Sequence, residues 1–103
     1  MLFLAPLIFG CARKYANFRD DIKEGQSKES ILQLLGNTHG KGTTIKRNVP
    51  VFGPQERFWD QIPVGTQMEV WTYTFSDGKL YLYFIDGAAT VTYIAFAPQG
   101  IVY

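Results

Sequence analysis

Two alternating stretches on either side of Asp77-Gly78 limit the folds open to this chain. MEVWTYTF (68–75) and LYLYFI (80–85) both have the period of two that places successive side chains on opposite faces of a strand. Asp-Gly between such runs is a strong signal for a two-residue hairpin loop. Asp86-Gly87 predicts a second turn, and the segment 89–97, rich in Thr, Val, Tyr and Ile, predicts a third strand. The sequence therefore predicts a three-stranded antiparallel meander.

Both faces of this sheet are apolar, so each face requires a cover. In the first strand, one face is formed by Glu69, Trp71, Tyr73 and Phe75, and the other by Met68, Val70, Thr72 and Thr74. Helices before the strands are expected to cover one face. The segment 43–67 is expected either to cover the other face or to leave it free as a binding surface.

Two short helices are predicted ahead of the sheet. The first covers about Asn17–Glu24 and ends at Gly25, since glycine accepts the left-handed conformation of a C-terminal cap. The second begins at Ser27 as N-cap, ends at Gly36, and has an apolar stripe of Ile31, Leu34 and Leu35. The expected fold class is therefore α+β: two short N-terminal helices packed on a three-stranded antiparallel β-meander.

Composition excludes several classes of function. A chain of 103 residues is expected to form one domain, and its formal net charge of +1 gives no basic excess for nucleic acid. A single cysteine and a single histidine cannot form an internal disulfide or a structural zinc site. No metal or other cofactor is expected.

The cysteine, Cys11, follows an apolar run from Met1 to Phe9 that is too short to span a bilayer. Ile8-Phe9-Gly10-Cys11 resembles the bacterial lipobox, whose cysteine carries the lipid of a lipoprotein. The predicted organisation is a signal remnant at 1–10, a tether at 11–20 and one domain at 21–103. Ala12, in place of aspartate, favours the outer membrane. The alternative is a buried N-terminal strand in which Cys11 is a small apolar residue.

Helices, meander and lipobox together resemble the SmpA/OmlA family of BamE-like outer-membrane lipoproteins. The matching segments are IKEGQS (22–27), ILQLLG (31–36), EVWTY (69–73) and LYLYFIDG (80–87). Thr38 departs from the family's usual proline, and the stretch between Gly36 and Met68 is long for the family. The resemblance implies a protein on the periplasmic face of the outer membrane that assists β-barrel assembly.

Three groups of polar residues are candidates for a chemical site. GKGTT (40–44) has part of a phosphate-loop signature but lacks its strand-loop-helix context, so it is predicted to be a flexible loop. His39 has no acidic or thiol neighbour in sequence and is predicted to be a solvated loop residue. A glycosidase pair among Glu56, Asp60 and Glu69 is less favoured than surface ion pairs with Arg57 or Lys46. No enzymatic activity is predicted.

The aromatic middle segment gives the candidate partner-binding residues. Aromatic and arginine side chains are enriched in the most important contacts of protein interfaces, which points to Phe52, Arg57, Phe58 and Trp59. The expected function is binding of an envelope protein by a lipid-anchored domain. The alternative is a periplasmic module that recognises a small ligand or glycan through the same aromatic loop.

Overall fold

The computed structural model describes residues 13–100, which form one antiparallel sheet with helices on both faces. The strands lie in the order β1-β2-β3-β4. The helices and strands are α1 (Lys28–Leu35), β1 (Gly40–Ile45), α2 (Glu56–Trp59), β2 (Gln67–Phe75), β3 (Gly78–Ile85) and β4 (Tyr93–Pro98). The α+β class and the antiparallel meander are confirmed, but the sheet has four strands where three were predicted.

Alternation along β2 and β3 sorts their side chains as predicted. One face packs against α1, and its core includes Ile31, Leu35, Trp71, Tyr73, Leu80 and Leu82. The opposite face packs against α2 and the turn after it, and its core includes Phe58, Ile62, Met68, Tyr83 and Ala95. These are called the α1 face and the α2 face below. Part of the segment 43–67 therefore covers the second face.

Helix α1 has the predicted bounds for the predicted reasons. The Ser27 hydroxyl accepts a hydrogen bond from the Ser30 amide at 3.1 Å, which satisfies one of the free N–H groups of the first turn. Ile31 and Leu35 are buried on the stripe that faces the sheet. Gly36 ends the helix with a φ of 81°, a conformation that favours glycine.

The predicted first helix over Asn17–Glu24 is wrong. The chain instead makes two 3-10 turns, Tyr15–Asn17 and Arg19–Asp21, and then becomes extended. Amide groups of Tyr15 and Ala16 donate to the Asp77 carboxylate at 2.8 and 3.2 Å, so the hairpin loop after β2 fixes this segment. A helix of only two turns is marginally stable by itself. Here the hydrogen bonds to Asp77 hold the segment in the tighter 3-10 turns instead. Tyr15, within the range assigned to the tether, is buried in the core of the α1 face.

The third predicted strand, 89–97, begins later than expected. Its first part pairs with the segment before α1: the Gly25 amide donates to the Val91 carbonyl at 2.7 Å, and the Val91 amide donates to Gln26 at 2.9 Å. Ser27 and Thr90 form an isolated antiparallel bridge. The Thr92 amide donates to the Tyr83 carbonyl at 2.8 Å, and from Tyr93 the chain continues along β3 as strand β4.

The segment predicted as a flexible loop, 40–44, lies within strand β1. Gly40 to Ile45 pair in register with Thr72 to Gln67 of β2. The prediction of a flexible loop for GKGTT (40–44) is therefore wrong. The hairpin loop is also displaced by one residue, because Phe75 pairs with Gly78 and leaves Ser76 and Asp77 as the loop.

The predicted signal segment 1–10 and the predicted lipid attachment at Cys11 lie outside the described residues.

Candidate binding site

Strand β1 is at one edge of the sheet, paired with β2 on one side only. All its residues except Gly40 are exposed. Within residues 13–100 no further strand pairs with its outer side. A free strand edge carries unpaired N–H and C=O groups and is the surface on which proteins add an extended peptide as a further strand.

The ladder between β1 and β2 determines which backbone groups point outward. The Lys46 amide donates to the Thr66 carbonyl at 2.9 Å, which continues the ladder one residue past the Ile45–Gln67 pair. In an antiparallel ladder, hydrogen-bonded and non-hydrogen-bonded pairs alternate. The N–H and C=O groups of Lys41, Thr43 and Ile45 are therefore directed away from β2, at the free edge.

Side chains of β1 differ between its two faces. Lys41, Thr43 and Ile45 lie on the α1 face, because residues directly opposite each other share a face and Lys41 pairs with Trp71. The other face carries Gly40, Gly42 and Thr44. A Cβ built on Gly42 would meet no atom within 4 Å. At Gly40 and Gly42 the α2 face of this edge is thus a strip of bare backbone.

Positive charge lies along the α1 face of the edge. Glu69 is already engaged, since its Oε1 accepts from Lys28 at 2.7 Å and its Oε2 accepts from the Trp71 indole at 2.9 Å. The hydrogen bond from Lys28 and that from Trp71 hold the pKa of the Glu69 carboxyl below its usual value. The Lys41 ammonium lies 4.9 Å from the Trp71 ring centroid.

Lys41 is therefore not committed to an ion pair. Together with Arg47 it has no carboxylate within 4 Å among the described residues, where the ion pairs are Lys28–Glu69 and Arg57–Glu24. Both side chains are exposed. The edge consequently presents two cations to any segment that pairs with it.

Two shallow concavities follow the edge and meet at Ile45 and Gln67. The first, of about 840 Å³, is lined by β1 from Lys41 onward and by Arg47 and Glu69. The second, of about 720 Å³, lies between Ile45, Val64 and Ile85. Ile45 is 49% exposed and Val64 62% exposed, which gives this end of the edge an apolar character. The site thus combines free backbone groups, cations and exposed aliphatic side chains.

The opposite edge, β4, is obstructed. The Arg57 guanidinium donates to the Ile94 carbonyl oxygen and also pairs with Glu24 at 3.2 Å. Strand β4 ends at Pro98, which has no amide hydrogen to donate. Of the two edges of the sheet, β1 is the one better suited to receive a partner strand.

The four residues predicted to bind a partner have different environments. Phe52 is 73% exposed, whereas Phe58 is 2% exposed and stacks on Tyr93 with ring centroids 4.5 Å apart. Trp59 is half-buried, and its indole Nε1 is a buried donor without a partner among the described residues. Arg57 is exposed but engaged with Ile94 and Glu24. Phe58 therefore belongs to the core, and Phe52 is the aromatic residue presented to solvent.

The other candidates are separated from one another. Glu69 is on the α1 face, while Glu56 is on α2 across the sheet and accepts from the Gly53 amide at 2.9 Å. The expected ion pairs of Glu56 and Asp60 with Arg57 or Lys46 are not formed, because Lys46 binds main-chain carbonyl groups. His39 is exposed, and its Nδ1 accepts from the Thr74 amide at 2.7 Å. In the described part of the chain, no three His, Cys, Asp or Glu side chains are grouped to hold a metal ion.

Sequence reasoning missed strand β1 because its composition obscures it. Gly-Lys-Gly-Thr-Thr-Ile has one apolar residue and two glycines, which are depleted in strands. The available signal was the run Thr-Thr-Ile, three β-branched residues in succession.

No helix within residues 13–100 has the length and apolar character needed to cross a membrane.

Compared with known proteins, the chain matches no family model, no curated protein and no solved structure. The resemblance to the SmpA/OmlA family stays a prediction from the sequence.

Proposed function

We propose that this chain is a non-enzymatic, lipid-anchored envelope protein that binds another protein by pairing its β1 edge with an extended segment of that partner. The observation that carries the proposal is the free edge of β1, with outward N–H and C=O groups at Lys41, Thr43 and Ile45. Main-chain hydrogen bonds supply affinity in this mode of recognition, and side chains beside the edge supply specificity.

The proposed location comes from the sequence. Cys11 in its lipobox-like context is the proposed lipid attachment, and Ala12 favours the periplasmic face of the outer membrane. The described sheet and α1 are compatible with a BamE/SmpA-like domain, and that finer assignment is part of the proposal. A role in outer-membrane protein assembly or envelope maintenance follows from the resemblance.

The alternative, recognition of a small ligand or glycan through the aromatic loop, has less support. Phe58 is buried and Arg57 is tied to the β4 edge, so two of the four loop residues are committed to internal contacts. Neither of the two concavities described above is lined by an aromatic side chain.

Site-specific photocrosslinking tests the binding surface. A photoreactive phenylalanine replaces Thr43 on the free edge, and a matched control replaces Lys79, which is exposed on the central strand β3. We expect a discrete crosslinked adduct from position 43 and none from position 79. Equal labelling from both positions, or none from position 43 in native membranes, would contradict binding at this edge.

Intact mass tests the anchor separately. The protein purified from membranes is expected to begin at Cys11 and to carry a diacylglyceryl group and an acyl chain. The Cys11→Ala variant is expected to lack that added mass. An unmodified wild-type chain in the soluble fraction would remove the lipoprotein part of the proposal and leave the edge-binding part standing.

A further inference from the structure

We propose that the partner segment carries an acidic residue directly beside an aromatic residue, the acid facing Lys41 and the aromatic ring lying on Gly42. This inference rests on the proposed function, because it specifies the strand that would pair with β1. It follows from the different character of the two faces of that edge. Successive residues of any strand point to opposite faces, so adjacent partner residues meet both features at once.

The acidic residue is required by the charge on the α1 face. Lys41 is exposed, lies over the Trp71 ring and has no carboxylate partner within residues 13–100. Glu69, the nearest carboxylate on this face of β2, is bound by Lys28 and Trp71. A partner carboxylate opposite Lys41 therefore gains an ion pair without displacing an existing one. Arg47 adds a second positive charge at the same edge.

The aromatic residue is required by the bare strip on the α2 face. A Cβ on Gly42 would meet nothing within 4 Å, so a ring from the next strand can lie directly on its backbone. Aromatic side chains placed across from a strand glycine cover its exposed backbone in this way. Because the N–H and C=O groups of Gly42 point to β2, Gly42 and the partner residue opposite it form a non-hydrogen-bonded pair, in which side chains come closest.

Behind Gly42, Val70 is directly opposite on β2 and belongs to the margin of the α2-face core. A ring on Gly42 would extend that core by one strand. Pairing between like side chains of two copies would provide neither feature, since β1 contains neither an acid nor an aromatic residue. A lysine on an edge strand also disfavours pairing between identical copies.

Fluorescence polarisation with labelled peptides of defined sequence tests the inference. The probe is TVTYEVTT, and the comparison peptides are TVTYKVTT and TVTAEVTT. We expect each change to weaken binding about two- to fivefold, the range of a cross-strand pair. The Lys41→Glu variant should reverse the preference between the first two peptides. A ranking that Lys41→Glu leaves unchanged would overturn the acidic part.

The aromatic part is tested on the protein side. Gly42→Val places on the strip a residue that favours strands, and its Cβ would meet no atom within 4 Å. This variant should bind TVTYEVTT about two- to fivefold more weakly than the wild type does, and its binding of TVTAEVTT should be unchanged. Equal effects on both peptides would overturn the placement of the ring on Gly42.

Two variants at Thr43 separate failure of this inference from failure of the proposed function. Thr43→Pro removes the outward N–H without removing a bond to β2, whereas Thr43→Val keeps it. If Thr43→Pro loses binding to all three peptides and Thr43→Val does not, the result supports edge pairing, whatever the side-chain preferences are. Should Thr43→Pro fail to fold, amide chemical shifts of Lys41, Thr43 and Ile45 on peptide addition give the same answer. Unchanged shifts, or a dimer through β1 by sedimentation, would overturn both proposals.

Discussion

The Lys46 ammonium donates hydrogen bonds to the main-chain carbonyl oxygens of Trp59 and Ile62, each at 2.9 Å. Lys46 directly follows β1, and the two carbonyl groups belong to the end of α2 and the turn after it. Carbonyl groups at a helix end lack partners within the helix, and the helix dipole places partial negative charge there. The buried Lys46 therefore links the end of strand β1 to the segment that covers the α2 face.

Replacing this lysine should destabilise the protein. Lys46→Met preserves the aliphatic stem but leaves the buried Ile62 carbonyl without its lysine donor, while the Trp59 carbonyl keeps the Ile62 amide at 3.1 Å. We therefore expect the free energy of unfolding to fall by about 2 kcal/mol. Urea denaturation measures it. Arg47→Met is the matched control, because Arg47 is exposed and its loss should change stability by less than ~0.5 kcal/mol. Similar effects of the two changes would mean that the Lys46 contacts add nothing to stability.

Gly78 and Gly42 should respond in opposite ways to alanine. A Cβ on Gly78 would lie 2.3 Å from the Ala97 carbonyl oxygen, and its φ of 151° is unfavourable for other residues. Gly78→Ala should cost about 2 kcal/mol or more. Gly42→Ala meets no atom and should stabilise the fold by up to ~1 kcal/mol. Thermal unfolding of both variants measures the contrast, and a neutral Gly78→Ala would show that β4 can move away from that position.

The parts of the fold that could be predicted are those set by local sequence. Alternation in β2 and β3 fixes which side chains face α1, and the Ser27 hydroxyl caps the helix within its own first turn. Both signals act over a few residues, so they can be read from the sequence without knowing the rest of the fold.

The parts that were missed depend on distant residues. Strand β1 has little strand preference of its own and exists because β2 pairs with it, and the turns after Arg13 are held by Asp77. The same difference between local signals and contacts with distant residues applies to the candidate site. The sequence marks Phe52 and Phe58 as aromatic, but only packing against Tyr93 decides that Phe58 is core.

Acid should weaken the contact between Glu69 and Lys28. The hydrogen bond from Lys28 holds the pKa of the Glu69 carboxyl below its usual 4.5. A carboxyl whose pKa is lower in the folded state stabilises the fold above its unfolded pKa and loses that contribution as pH falls through the folded value. The stability difference between wild type and Glu69→Gln should therefore be constant near neutrality and shrink below about pH 4.5.

Because Glu69 is partly exposed, solvent screening limits this difference to about 1 kcal/mol or less. Denaturant titrations at several pH values measure it. Asp60→Asn serves as the control, since Asp60 is exposed and forms no ion pair within residues 13–100. A difference that grows as pH falls would contradict the assigned direction.

Alanine substitutions at Phe58 and Phe52 should distinguish a residue that stabilises the fold from one that is available for binding. Phe58 is enclosed by Tyr83 and Tyr93, so Phe58→Ala leaves a cavity and should lower the free energy of unfolding by about 3–5 kcal/mol. Phe52 is 73% exposed, and Phe52→Ala should change stability by less than ~0.5 kcal/mol. Thermal unfolding gives both values. Since Phe52→Ala leaves the fold intact, any loss of crosslinking from position 43 in that variant would come from a lost partner contact. If crosslinking persists unchanged, Phe52 is not an anchor, and recognition rests on the β1 edge alone.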